Sequence, residues 1–436
     1  MATHSIDYLT LRHLAPARWL RARVSRVLGG REAWPLVFRA PHAASGFPQG
    51  TSGNLYVHLP FCQHLCPHCP YNRITFQSGM VRDYGRALER ELTAYLARAD
   101  APPVRTLYFG GGTPSLTPEL IELVITLVRS HLVHGAEVGV EVHPRDADPA
   151  LLARLRVAGV NRISLGIETL RPDLLKSLGR HYTPEQGLQA IRSAQRGGFD
   201  FVDVNLIHGI PGQRADEAIA DAERIVALGV DQISAYPLFG FAHTPLGRRG
   251  GVGPASDRER LRAQRGVSRV CRAAGLARTS VWSFTRAGLS PYSTVTHEDY
   301  VGFGAGAGSK VGGVFWFNTF SIPEYNACLE PRPALVLHVG ERLRRLHWLY
   351  WAIYGTHITS ERYRTLFGKP IERDFGRLLW AMRMAGLARH DATGWKITER
   401  GAVWVHRLQS LFSLSYIDEL WTRCRHEAWP TEVALV

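Results

Sequence analysis

The sequence of 436 residues contains no apolar run of 18 residues, and its N-terminal segment lacks the hydrophobic stretch of a signal peptide. A helix that crosses a membrane needs about 20 predominantly apolar residues. We therefore predict a cytoplasmic protein with no membrane partner. Hydrophobic residues still make up 45% of the chain, which predicts a large globular core and leaves length for a second domain.

Lysine is scarce and occurs only at Lys176, Lys310, Lys369 and Lys396. The formal charge of +14 therefore comes almost entirely from arginine, which is spread along the whole chain. Proteins that bind nucleic acids gather their positive charge on one face or stripe. We predict no nucleic-acid partner, although a cationic surface would help an acidic substrate to approach.

A disulfide framework is excluded by the number and distribution of the cysteines. Three of the six are scattered, at Cys271, Cys328 and Cys424. The other three form a Cys-x3-Cys-x2-Cys run at Cys62, Cys66 and Cys69. Three thiolates at this spacing can hold three corners of a [4Fe-4S] cluster and leave the fourth iron open to another ligand. An open iron indicates catalysis more than electron storage.

A structural zinc site is the alternative interpretation of this run. His58, His64 and His68 lie beside the cysteines, and zinc takes four ligands from Cys or His. The paired Cys-x2-Cys knuckles that are typical of such sites are absent. We therefore favour the cluster.

Beyond residue 50, short apolar runs alternate with amphipathic stretches. Strands are predicted at 55–59, 104–109, 137–143, 162–167, 201–206 and 232–236. Helices are predicted around 80–98, 117–131, 149–157, 184–196, 215–228 and 257–274. Six strand–helix units predict an α/β fold with a parallel sheet and right-handed crossovers. Composition does not distinguish a closed barrel from an open, doubly wound sheet.

Several motifs, taken together, resemble the HemN-like branch of the radical SAM enzymes. They are the cysteine run after Tyr56, Gly110–Ser115, Glu141–Pro144, Asn161–Glu168, Asn205–Gln213 and Gly302–Ser309. The resemblance implies a partial (β/α)6 barrel followed by a mostly helical, winged-helix-like C-terminal domain. We predict an N-terminal arm at 1–50, the barrel and its extension at 51–330, and the C-terminal domain at 331–436.

The resemblance also implies the cofactors, which are a [4Fe-4S] cluster and S-adenosylmethionine (SAM), the latter in two molecules. Cys62, Cys66 and Cys69 match the cluster ligands, and Tyr56, Gly111 and Glu141 match the positions that hold the SAM on the iron. Positions for the second SAM match His68, through its backbone, and Gly112, Thr113, Glu168, Arg180 and Asn205. The family usually has glutamine at position 168 and aspartate at position 205, so this chain keeps one carboxylate across the pair.

The predicted reaction depends on Ser280–Thr285 and Pro291–Thr294, which resemble class C methyltransferases and cyclopropanases of natural-product pathways. We therefore predict transfer of a methylene or methyl group to an sp2 carbon of a small natural product, by a monomer that uses a reductant such as flavodoxin or ferredoxin. No side chain need act as a conventional acid or base in the first steps, and no catalytic residue is assigned.

Two alternatives stay open. They are oxidative decarboxylation of the kind catalysed by oxygen-independent coproporphyrinogen III oxidase, and a haem chaperone. Against the first, Tyr71 stands where the oxidase has a further cysteine. Against the second, Ser290–Val295 replaces the chaperone's His-Asn-x-x-Tyr-Trp pattern.

Overall fold

The computed structural model describes residues 19, 22–24, 26–27, 30, 35–41, 50–248, 255–291 and 298–435, with the backbone alone at 407–415. Its strands are β1 (Leu36–Arg39), β2 (Asn54–Leu59), β3 (Phe61–Cys62), β4 (Ile74–Thr75), β5 (Val104–Gly111), β6 (Leu132–Val142), β7 (Arg162–Glu168), β8 (Phe201–His208), β9 (Gln232–Pro237), β10 (Leu276–Arg278), β11 (Ser283–Arg286), β12 (Val301–Phe303), β13 (Gly308–Val311), β14 (Val314–Phe317), β15 (Leu335–His338), β16 (His357–Thr359), β17 (Ala388–Asp391), β18 (Gly394–Ile397) and β19 (Glu432–Leu435).

The α-helices of the described residues alternate with these strands in the first part of the chain and dominate its last hundred residues. They are α1 (Ser78–Leu96), α2 (Pro118–Val128), α3 (Pro149–Ala158), α4 (Pro172–Ser177), α5 (Pro184–Arg196), α6 (Ala215–Val226), α7 (Pro245–Arg248), α8 (Asp257–Ala273), α9 (Ile322–Ala327), α10 (Glu341–Tyr354), α11 (Ser360–Phe367), α12 (Ile371–Met384) and α13 (Glu399–His426).

The largest sheet has nine strands in the order β10-β11-β9-β8-β7-β6-β5-β2-β12. The six predicted strands are its centre, all parallel, and β12 adds a seventh parallel strand beside β2. The edge strands β10 and β12 do not pair, so the sheet is an open, partial barrel, as the family resemblance implied. Helices cover its outer face, so central strands such as β6 and β7 bury Val140 and Ile163 completely.

One strand begins earlier in the chain than the sequence predicted. The sequence predicted residues 137–143, whereas β6 starts at Leu132. His134, Gly135 and the polar start of this segment obscure the strand pattern, because the first residues of β6 are exposed rather than packed in the core. The pairing with β5 shifts register at this same end, between Val104 and Thr106.

A second sheet has the order β13-β14-β15-β1-β19 and draws strands from all three predicted domains. Within the predicted N-terminal arm, β1 pairs antiparallel with β15 and β19. The domain boundaries at 50 and 330 stay predictions. The sheet does show that both ends of the described chain are held by one hydrogen-bonded structure.

The last part of the chain has the predicted mostly helical, winged-helix-like character. Helix α10 precedes β16, helices α11 and α12 follow it, and β17 and β18 complete a three-stranded antiparallel sheet in the order β16-β18-β17. Trp348, Tyr363 and Leu379 are buried at the centre of this unit. The long helix α13 then carries Ala402 in this core and Leu420 in the core beneath the five-stranded sheet.

Candidate active site

A cavity of about 460 Å³ lies at the carboxyl ends of the parallel strands. Ligand sites of α/β barrels form at this end of the strands because the loops that follow them converge there. Eleven of the twelve predicted site residues line it: Cys62, Cys66, His68, Cys69, Gly111, Gly112, Thr113, Glu141, Glu168, Arg180 and Asn205. Tyr56 is not among the lining residues.

The cysteine loop, residues 60–73, follows β2 directly, contains the short strand β3 and ends at β4. Its backbone is folded by a hydrogen bond from the Cys69 N–H to the Cys66 carbonyl, at 3.2 Å. Arg73 donates to the same Cys66 oxygen, and the Thr113 hydroxyl lies 3.6 Å from the Cys62 sulfur. The loop is therefore braced by its own backbone, by Arg73 and by the neighbouring strand end.

The chemistry of these thiols suits a metal cluster. Burial raises the pKa of Cys62 to about 12 and also raises the pKa of Cys69, so both thiols are protonated unless a cation compensates. An iron–sulfur cluster supplies that positive charge. Among the described residues, no three His, Cys, Asp or Glu side chains converge as one metal ion requires.

The glycine turn after β5 packs tightly against the cysteine loop. Gly111 has φ +117, and a Cβ there would lie 2.7 Å from the His58 ring. A Cβ on Gly112 would lie 2.7 Å from the Phe61 carbonyl oxygen. Larger residues would push the turn away from the loop, so glycine is needed for this close approach.

The hydroxyl of Tyr56 points toward the His58 ring. Burial lowers the pKa of His58 to about 4, so the ring is neutral. Its Nε2 lies 2.7 Å from the Asn72 carbonyl oxygen, an acceptor, so Nε2 carries the proton and Nδ1 accepts from the Tyr56 hydroxyl at 2.8 Å. Tyr56 thus braces the glycine turn through His58, and its direct contact with SAM stays a prediction.

Glu141, at the end of β6, is a buried hydrogen-bond acceptor that Tyr108 holds in place in the cavity. Its Oε1 accepts a hydrogen bond from the Tyr108 hydroxyl at 2.5 Å. Burial raises the pKa of Glu141 to about 7, and Glu168 and Asp203 add to the rise. An ammonium group or a pair of ribose hydroxyls would favour the ionised form.

Glu168 and Arg180 form a buried ion pair, with side chains 9% and 11% exposed. Glu168 has φ +61 at the end of β7, where the register shifts, so the backbone turns its carboxylate toward Arg180. Tyr236 donates to the other carboxylate oxygen at 3.3 Å. The buried Nε of Arg180 has no partner among the described residues, which leaves one donor available to a ligand.

Asp203 was not predicted from the sequence, although it lines the cavity and is only 2% exposed. Its carboxylate accepts from Ser164 at 2.7 Å, and from Gln232 and Ser234 at 3.0 Å. Ser164 in turn accepts from the Asn205 amide at 2.6 Å. Asp203 and Asn205 are two apart on β8 and share a face, a period-2 signal that was available in the sequence.

The far end of the cavity is an aromatic wall, which the sequence analysis also missed. We define it as Tyr71, Tyr236, Phe239, Phe241, Trp282, Tyr350, Trp351, Tyr354 and Trp421. Trp282 packs edge-on against Tyr354 with ring centroids 4.6 Å apart, and Trp351 lies 5.4 Å from Tyr354. These side chains come from separate loops and helices, so no local pattern announces them.

This chain is similar to several known proteins. The radical SAM superfamily pattern matches residues 56–225. The haem chaperone HemW of Mycobacterium tuberculosis (strain ATCC 25618 / H37Rv) is 34% identical over 298 residues, which are 65% of this chain and 76% of the relative. This chain belongs to the HemN-like family of radical SAM proteins.

Two further members of this family extend the match toward the C-terminus. The oxygen-independent coproporphyrinogen III oxidase of Pseudomonas aeruginosa is 28% identical over 396 residues, covering 82% of this chain and 85% of the relative. The solved structure of coproporphyrinogen III oxidase (HemN) from Escherichia coli superimposes with a TM-score of 0.73 at 21% identity, covering 86% of this chain and 94% of that one. This radical SAM enzyme therefore uses a [4Fe-4S] cluster and SAM, and a second SAM molecule stays a prediction.

The predicted methylene or methyl transfer to a natural product is wrong. The relatives that match over most of their length are haem chaperones and coproporphyrinogen III oxidases. The residues behind that prediction have another explanation: Trp282 packs in the aromatic wall, and Ser283 begins β11. Most of Pro291–Thr294 lies outside the described residues.

A small-molecule substrate and a reductant agree with membership of this family. The monomeric state, the named reductants, the absence of nucleic acid and the cytoplasmic location stay predictions. In the part of the chain that the structure describes, no helix is both long and apolar enough to span a membrane.

Proposed function

We propose that this protein acts on a tetrapyrrole and that its reaction is the oxidative decarboxylation of porphyrinogen propionate side chains. The observation that carries the proposal is the cavity itself, which joins the cysteine loop to the aromatic wall. A broad apolar macrocycle with acidic edges matches flat aromatic side chains at one end and cationic groups nearby. The coproporphyrinogen III oxidase relative, whose match extends over most of both chains, supports the same substrate class.

When bound, the cluster and SAM supply a carbon-centred radical that can remove a hydrogen atom from an unactivated carbon. A propionate that loses this hydrogen atom must then release CO2 and give one electron to an acceptor, leaving a vinyl group. The protein's part is to hold the carboxylate, orient the reacting carbon and keep water away. The aromatic wall is suited to the last two tasks.

Arg145 is the side chain we assign to the substrate carboxylate. It lines the cavity with an exposed side chain, and it interacts electrostatically with the neighbouring Asp146. It lies near His143, whose pKa is lowered to about 3 by burial and then by Arg180 and Arg145. A carboxylate bound here would offset this local positive charge.

The residues predicted for SAM have chemistry that fits their proposed roles. The Glu141 carboxylate would accept hydrogen bonds from the SAM ammonium group or ribose. Arg180, with its unpartnered Nε, would bind a carboxylate while it stays paired with Glu168. Cys62, Cys66 and Cys69 would hold the cluster.

The test is an anaerobic assay of the reconstituted protein with SAM, dithionite, an electron acceptor and coproporphyrinogen III. We expect SAM-dependent release of CO2 and formation of vinyl groups, both detected by mass spectrometry. Arg145→Ala should raise KM for the porphyrinogen about tenfold, the factor for one lost charged contact. Arg129→Ala, an exposed change away from the cavity, is the matched control. An intact cluster that cleaves SAM but never consumes the porphyrinogen would refute the proposal.

A haem chaperone is the second candidate, favoured by the 34% identity to the mycobacterial HemW. The aromatic wall would suit haem as well as a porphyrinogen. Stable stoichiometric haem binding, without SAM cleavage in the presence of any porphyrinogen, would select this function.

A further inference from the structure

The cysteine loop is held from outside the barrel by the C-terminal helix α13. Arg425 donates from one guanidinium nitrogen to the carbonyl oxygens of Pro70 and Tyr71, each at 2.6 Å. These two residues directly follow Cys69, the third cysteine of the run. A side chain near the end of the chain thus fixes the backbone next to a cluster ligand.

A second contact reaches the same carbonyl through a buried pair. Asp418, on α13, accepts hydrogen bonds from the backbone N–H groups of Ala242 and His243, at 2.7 and 3.1 Å, and pairs with His243 Nδ1. The other ring nitrogen of His243 lies 3.2 Å from the Pro70 oxygen. The His243 side chain is only 2% exposed, so little water competes for these bonds.

Packing reinforces the two polar contacts. Trp421, one turn from both Asp418 and Arg425, has its ring 5.8 Å from that of Tyr71. The Trp421 ring also stacks on the Phe241 ring, with centroids 6.4 Å apart. Helix α13, the 241–243 segment and the cysteine loop therefore pack against one another. Side chains three or four positions apart share a helix face, which is why 418, 421 and 425 act together.

We propose that Asp418, Trp421 and Arg425 form a clamp that positions Cys69 for the cluster, so that retention of the cluster depends on the C-terminal helix. The clamp residues are positioning residues, because they act on the loop backbone and leave the thiolates to bind iron. Cluster and substrate cavity are thereby linked, since Trp421 belongs to both the clamp and the aromatic wall. The inference does not depend on the identity of the substrate.

The test compares Arg425→Ala with Arg423→Ala in the full-length protein. Arg423 is a matched control because it lies on the same turn but pairs with Glu427, 2.6 Å away, at the surface. We expect amide hydrogen exchange in the apo protein to quicken about tenfold in residues 62–75 of Arg425→Ala alone, the factor for loss of one charged hydrogen bond. Iron per chain after reconstitution and gel filtration should fall in the same variant.

A readout that general destabilisation would not change is the electron paramagnetic resonance spectrum of the reduced cluster. In Arg425→Ala the fraction that does reconstitute should show an altered response to added SAM, whereas Arg423→Ala should match the wild type. Arg425→Lys, which keeps a cation able to reach the carbonyls, should restore part of the iron content. Asp418→Asn provides a second variant should Arg425→Ala not fold.

Two outcomes would overturn the clamp. One is folded Arg425→Ala and Asp418→Asn proteins with wild-type exchange in the cysteine loop and wild-type iron content. The other is equal loss of iron in Arg425→Ala and Arg423→Ala, which would point to the helix as a whole rather than to contacts with Pro70 and Tyr71.

Discussion

The two ends of the cavity are built in different ways. The polar end consists of strand ends and the loops directly after them: Cys62 follows β2, and Gly111, Glu141 and Glu168 lie at the carboxyl ends of β5, β6 and β7. The aromatic end is assembled from Tyr71 of the cysteine loop, from β9 and the barrel's last loops, and from two helices of the C-terminal part, α10 and α13. The side chains of the polar end come from the barrel, whereas the aromatic end also needs side chains of the C-terminal part.

This difference predicts that most of the aromatic end can be changed without loss of the cofactor chemistry, Trp421 of the clamp excepted. A fold hosts many reactions, and the loops around its site decide among them. Changes at the polar end should abolish all turnover, whereas changes at the aromatic end away from the clamp should alter substrate binding and spare SAM cleavage.

Cys66→Ser should abolish cluster binding and SAM cleavage, because a serine hydroxyl does not replace a thiolate on iron. Iron content, the visible absorption of the cluster and 5'-deoxyadenosine formation are the measurements. Cys328→Ser is the control, because Cys328 lies outside the cavity with its thiol 3.0 Å from the Glu330 carbonyl oxygen. Retained SAM cleavage in Cys66→Ser would contradict the cluster assignment.

Arg180→Met should lower the free energy of unfolding of the apo protein by about 3 kcal/mol, because it leaves the Glu168 charge buried without its partner. SAM affinity should fall with it. Arg171→Met is the control, since Arg171 is 46% exposed and its ion pairs are worth less than about 1 kcal/mol. Urea unfolding measures both variants. Equal losses would show that burial does not strengthen the Glu168–Arg180 pair.

Glu141→Gln should change the pH dependence of stability in a defined direction. Glu141 has a native pKa of about 7 and a usual value of 4.5, so the folded state holds its proton longer than the unfolded state. This contribution stabilises the fold below pH 4.5 and is lost as the pH rises to 7. Glutamine stays neutral, so the variant should gain about 3 kcal/mol relative to wild type between pH 4.5 and 7.

Urea unfolding of the apo proteins at several pH values measures this difference. SAM binding should move the other way, because the ionised carboxylate is the better acceptor: wild-type affinity should rise from pH 6 to 8, and the affinity of Glu141→Gln should stay flat and low. A constant stability difference across the range would disprove the raised pKa.

Trp351→Ala should weaken binding of coproporphyrin or haem about tenfold while leaving SAM cleavage close to wild type, because it removes one face of the aromatic wall. Fluorescence quenching and difference absorption measure the affinity. Trp380→Ala is the control, because Trp380 is 62% exposed and does not line the cavity. Equal effects of the two changes would show that the aromatic wall is not part of the substrate site.

Thr113→Val should have the smallest effect, about 0.5 kcal/mol, because a hydroxyl-to-sulfur hydrogen bond is weak and valine keeps the shape. The loss should appear as slightly slower cluster assembly, followed by visible absorption. Thr117→Val, which changes a buried threonine in the next turn, separates this effect from a general loss of stability.

The barrel was largely predictable because its signals are local. Alternating apolar runs and amphipathic stretches determined six parallel strands, and the cysteine run and glycine turn fall where those strands end. Eleven predicted site residues line one cavity for the same reason, while their individual roles remain predictions. The contact of Tyr56 with SAM also stays a prediction, and only the packed structure shows that its hydroxyl points to His58.

Local patterns predicted the succession of strands, the spacing of the proposed cluster ligands and the chemistry available at the strand ends, since each depends on residues close in sequence. The aromatic wall, the Asp203 network and the contact between Arg425 and the cysteine loop were visible only in the folded structure. Those features join residues up to 355 positions apart in the chain. No periodicity or motif encodes such a contact, because its partners share no local pattern.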